Sequence, residues 1–126
     1  MKYSELTLHY FETAPGAGVL DGPDVYRGAA GNRAQGTWVQ FDLHVSGGII
    51  HAARFLAFAC PHTIAASAWV AEHAGGPVSR AALPGGVQDL SERFAVPAEK
   101  RGRLLIIEDA WVAAVTGAQA NGALQR

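Results

Sequence analysis

A chain of 126 residues, 49% hydrophobic and 17% charged, is long enough to bury its own core and too apolar to be disordered. A formal net charge of −1 removes the electrostatic basis for binding nucleic acid or an anionic membrane surface. One cysteine excludes an intramolecular disulfide, and Arg54 and Glu108-Asp109 interrupt the longest apolar runs, so no segment reads as a membrane span. The expectation is one domain over residues 1–126, with the cytoplasm as its compartment because Tyr3-Ser4-Glu5 is no apolar leader.

Residues 3–11 are compatible with a short helix. The turn formers Thr13-Ala14-Pro15-Gly16-Ala17-Gly18 and Asp21-Gly22-Pro23-Asp24 then mark a connector. Residues 25–30 read as a weak strand. From Trp38 the pattern sharpens: Val39, Phe41, Leu43 and Val45 alternate with Gln40, Asp42, His44 and Ser46, a period of two that buries one face. Ser46-Gly47-Gly48 is a hairpin turn, and residues 49–59 form the returning strand. That strand carries so few charges that it is expected to be central or covered by helices.

Helices dominate the second half. Residues 64–73 are alanine-rich and stop at Gly75-Gly76-Pro77. Short helices are expected over 79–83 and 87–94, the second closed by Pro97. The last helix spans 103–116, with Leu104, Leu105, Ile106, Ile107, Trp111, Val112 and Val115 around most of its circumference. Such a helix is either buried on several sides or offers a stripe to a partner. The tail, 117–126, reads as frayed. Strands first and helices later argue an α+β fold.

Cys60 ends the apolar run 52–59 and precedes Pro61, a residue favoured at the first position of a helix because the N–H it lacks would be unpaired there. This places the thiol at a strand-to-helix turn, where the helix macrodipole favours thiolate. Read alone, it is first a small buried hydrophobe, which is what most free cysteines are. His62, two residues on, is a candidate activating base for the thiol. His44 falls on the polar face of its strand, and His73 closes a helix, where a cation suits the dipole. Glu108-Asp109 point about 100° apart on a helix and read as a solvated edge rather than an acid/base pair. There is no Gly-rich phosphate loop after a strand, no CxxC and no HExxH.

Several segments in order resemble the U-type iron–sulfur cluster scaffolds, IscU and the N-terminal domain of NifU. Tyr3-Ser4-Glu5 with His9-Tyr10 is similar to the family's opening helix. Ala34-Gln35-Gly36-Thr37 stands where the family has Ala-Cys-Gly-Asp. Gly48-Ile49-Ile50 through Ala53-Arg54-Phe55 resembles "GIIxDARF". Phe58-Ala59-Cys60, with Ile64-Ala65-Ala66-Ser67, resembles "YGC…IASSS". Val96-Pro97-Ala98-Glu99-Lys100 stands at "LPPVK", and Glu108-Asp109-Ala110 matches "EDA". The resemblance implies an α+β fold with a small three-stranded antiparallel sheet and helices packed mainly on one face.

It also implies a metal pocket of three cysteines, an aspartate and a histidine, and this chain departs from it. Gln35 stands at the first cysteine, Thr37 at the aspartate, Gly102 at the histidine and Arg103 at the third cysteine; Cys60 alone remains. One thiolate beside a fixed cation does not assemble a cluster or zinc site, so no cofactor is expected, an iron–sulfur cluster or zinc being implied by the resemblance only. The chaperone-recognition segment is altered as well, with Ala98-Glu99 in place of Pro-Val. Three readings follow. One is a non-catalytic, degenerate scaffold with an interaction, regulatory or sulfur-accepting role, partnered by a cysteine desulfurase or other assembly proteins. Another is a working cluster or metal carrier that borrows ligands from a second subunit or partner. The last is a thiol enzyme or redox sensor at Cys60.

Overall fold

The computed structural model describes residues 3–124. Four helices are formed: α1 (Glu5–Thr13), α2 (Pro61–His73), α3 (Gly86–Arg93) and α4 (Gly102–Leu124). Four strands, β1 (Val25–Asn32), β2 (Thr37–Ser46), β3 (Ile49–Phe58) and β4 (Gly76–Pro77), form one antiparallel sheet in the order β1-β2-β3-β4. The expected three-stranded sheet is therefore corrected to four. The added strand is two residues long and pairs Gly76 with Ile50 and Pro77 with Ile49. It is made by backbone alone, with the Val78 N–H donating to the Gly48 carbonyl at 2.8 Å, so a Gly-Gly-Pro stop signal carries no trace of it.

The period-two pattern of β2 does the work expected of it. Val39, Phe41 and Leu43 are fully buried, each contributing about 1.5–3 kcal/mol of transfer free energy. Trp111 of α4 meets Phe41 edge-on, with ring centroids 5.7 Å apart. Gly47 and Gly48 both take positive φ, +60° and +75°, as a tight hairpin twisted with its strands requires. Helices cover one face of the sheet: α4 lies on β1 and β2, and α2 on β3. β3 is interior, as expected, yet covered on that face only; Arg54, Leu56 and Phe58 stay exposed on the other.

The connector 14–24 is a strap, not a free loop. The Phe55 N–H donates to the Gly16 carbonyl at 2.9 Å and the Gly18 N–H to the Phe55 carbonyl at 2.8 Å, closing part of the outer edge of β3. The strap then reaches the open face, where buried Asp42 accepts from the Leu20 N–H at 3.0 Å and from Arg27 Nε at 2.7 Å. Burial pushes the Asp42 carboxyl up, but the Arg27 guanidinium and the Leu20 amide hold it below the usual carboxylate range.

Two further expectations change. Residues 79–83 give only a 3₁₀ turn, Val78–Arg80. The chain also does not fray from Gly117: α4 continues to Leu124, with Ala118 buried, Gln119 donating to the Val78 carbonyl at 2.8 Å and Asn121 donating to the Tyr26 hydroxyl. Its polar tail residues find partners on β1 and on the turn after β4, contacts invisible in the local sequence.

Candidate functional site

Cys60 is the N-cap of α2, with extended backbone (φ −74°, ψ 164°) and Pro61 at the first helical position. The Ile64 N–H donates to the Cys60 carbonyl at 3.1 Å and closes the first turn. The half-buried sulfur lies 3.5 Å from the Thr63 hydroxyl. Burial alone pushes the thiol up. The Thr63 hydroxyl and amide, then the hydrogen bond and charge of Arg103, outweigh it and leave the thiol below its ordinary value. Arg103 reaches the sulfur because it is the second residue of α4, whose N-terminus lies at the α2 N-cap.

His62 is not the thiol's partner. It is buried, its ring packs on Tyr3 with centroids 4.7 Å apart, and its Nδ1 has no hydrogen bond. Burial first, then the charges of Lys100 and Arg103, pushes its imidazole below the usual histidine value, so it is neutral at pH 7. The reason for the difference is helical geometry. From the N-cap it is the residue three positions on, Thr63, that comes back over the cap, while His62 packs on Tyr3, ahead of α1.

Gln35 ends the 3₁₀ turn Arg33–Gln35 and is exposed; Thr37 opens β2 and is buried. The pairing of Trp38 with Phe58 puts both at the same end of the sheet as Cys60. The interactions at the sulfur itself are those of Thr63 and Arg103. Gly102 begins α4, exposed, with open space where a side chain would be. Sequence reading passed over Thr63 and Lys100; the N-cap-to-third-residue spacing from Cys60 to Thr63 was the available signal for the first.

These residues do not fit a cluster or a zinc ion. No three His, Cys, Asp or Glu side chains converge among the described residues, and the position beside the thiol holds a guanidinium. What the arrangement can do is hold one thiolate at a helix N-terminus.

Residues 2–121 match the family described as the NifU-like N-terminal domain. The chain is 31% identical over 118 residues to the iron–sulfur cluster assembly scaffold protein IscU of Azotobacter vinelandii, covering 91% of this chain and 92% of that protein. Its fold is that of a NifU-like N-terminal protein from Brucella abortus, with a TM-score of 0.71 at 18% identity over 93% and 94% of the two chains. A protein of Fervidobacterium islandicum AW-1, assigned as a scaffold for the SUF system, superposes with a TM-score of 0.72 at 14% identity over 90% and 96%. The chain belongs to the NifU-like N-terminal domain family of iron–sulfur cluster assembly scaffolds. No helix among the described residues is long and apolar enough to cross a membrane.

Proposed function

We propose that this protein is a non-catalytic member of iron–sulfur assembly that no longer builds a cluster and that accepts sulfur on Cys60, delivered by a cysteine desulfurase or another persulfide-bearing assembly protein. The observation that carries the reading is the pairing of one thiol at the α2 N-cap with the Arg103 guanidinium, which favours thiolate, where no three His, Cys, Asp or Glu side chains converge among the described residues. The Cys60 thiolate attacks the terminal sulfur of a donor persulfide. A sulfur–sulfur bond forms at Cys60, the donor's own sulfur–sulfur bond breaks, and the donor leaves as thiolate with the electron pair. The step needs no external oxidant. Arg103 stabilises the anion before and after transfer.

Incubation with a desulfurase and cysteine, followed by intact-mass measurement, should show addition of one sulfur atom to the wild type and none to Cys60→Ser. An equal gain in both proteins, or a gain in neither, overturns the proposal. Reconstitution with iron and sulfide should leave the protein colourless; a coloured product lost in Cys60→Ser favours the reading in which a second subunit or partner lends ligands.

A further inference from the structure

The far end of the hairpin holds two imidazoles that the Cys60 chemistry does not use. Pairing runs Ser46 with Ile49 and Val45 with Ile50, then His44 with Ala52. His51 is the extra residue, a bulge opposite His44 and Val45. Regular alternation would send His51 to the buried face with Ala53 and Phe55. The bulge instead leaves it exposed beside His44, with ring centroids 5.6 Å apart and planes 43° apart.

We infer that His44 and His51 form a bidentate site for a borderline divalent transition-metal ion such as Cu²⁺, Ni²⁺ or Zn²⁺. Three observations carry this. The ring separation is close to that of two imidazoles on one ion: metal–nitrogen bonds of about 2.0–2.1 Å put the centroids about 5 Å apart, a closure that small side-chain rotations supply. His51 Nε2 lies 3.1 Å from the Ser46 carbonyl, which can only accept, so Nε2 carries the proton and Nδ1 keeps a free lone pair. A backbone carbonyl holding the outer N–H is the support that metal-bound histidines use, since it fixes tautomer and ring plane together. Finally, neither ring nitrogen of His44 is committed to a hydrogen bond among the described residues.

No third His, Cys, Asp or Glu converges there among the described residues, so water fills the remaining positions. Affinity should then follow ligand preference, with Cu²⁺ bound most tightly. The site is separate from the thiol: seven residue steps along β3 separate His51 from Phe58, about 23 Å at roughly 3.3 Å each. It does not rest on the sulfur-acceptor reading.

The test is titration of the full chain with Cu²⁺ in a Cys60→Ser background, which removes the thiol that copper would otherwise bind or oxidise. One equivalent should bind, with two imidazole nitrogens coupled to the ion in the electron paramagnetic resonance spectrum. His44→Ala and His51→Asn should each weaken binding at least tenfold; the asparagine keeps an amide donor for the Ser46 carbonyl, and circular dichroism confirms that each variant is folded. Absence of binding, or binding unchanged in the double variant, overturns the inference.

Discussion

At Cys60, several small effects of opposite sign meet on one atom. Burial opposes the thiolate; the Thr63 hydroxyl and amide and the Arg103 guanidinium favour it and prevail. Alkylation of Cys60 should therefore show a midpoint below that of a free cysteine thiol measured alongside it. Arg103→Ala should raise that midpoint by about one unit, as loss of a close charge in a partly screened site does, and Thr63→Val should raise it as well. A midpoint unmoved in both variants would mean that the sulfur does not feel either group. The sign for stability is also fixed. A depressed folded-state thiol contributes stability above its unfolded value and loses it as pH falls through the folded one. His62 behaves differently. Its lowered value means that the unfolded chain takes a proton before the folded chain does. Stability should fall as pH drops below about 6.5 toward the folded-state value, by up to about 1.4 kcal/mol per pH unit. Denaturant melts of wild type and His62→Gln across pH 5–7 read this directly, the variant losing the slope in that window.

At the level of elements, the contact between α4 and β1 depends on the absence of a side chain. A Cβ on Gly28 would lie 2.2 Å from the Ala114 nitrogen and 2.5 Å from the Ala110 carbonyl oxygen, both backbone atoms of α4. Neither can swing aside, so the helix as a whole would have to lift from the sheet. Gly28→Ala should cost about 3 kcal/mol, the upper end of overpacking penalties, measured as a lowered denaturant midpoint. Gly75→Ala is the matched control, because open space surrounds that position and φ there is not positive. It should change stability by less than about 0.5 kcal/mol. Equal effects of the two substitutions would show that the close approach of α4 is not what Gly28 provides.

Across the whole molecule, Asp42 joins the strap to the sheet. One buried carboxylate takes the Leu20 N–H and, through both oxygens, the Arg27 guanidinium, so the connector and β1 are fastened to β2 at one point. Asp42→Ala removes the acceptor and leaves these donors without it. The expected loss is about 2–3 kcal/mol, the range for hydrogen bonds to a charged group, with the strap around Leu20 exchanging its amide hydrogens faster than the core. Because the folded carboxyl is lowered, its contribution is present above the unfolded value of about 3.9 and is lost as pH falls through the folded one. Acid unfolding should accordingly lose its steepest part in Asp42→Asn.

Local sequence was enough for β2, the glycine hairpin, the start of α2 and the thiol at its cap, since each is specified by neighbours within four residues. The family was legible too, because ordered motifs survive over most of the chain. The fourth strand, the strap and the last two turns of α4 were not, since backbone pairs at a sheet edge and tail side chains bonded to β1 leave no periodic trace. The surroundings of His62, a candidate base by sequence, were not legible for the same reason, its ring packing on Tyr3. The sequence by itself determined the family and where the lone thiol sits in the chain. Only the tertiary structure decided what surrounds that thiol and that a bulge brings His51 to His44, because both depend on contacts between residues distant in the chain or on register, and neither is encoded locally.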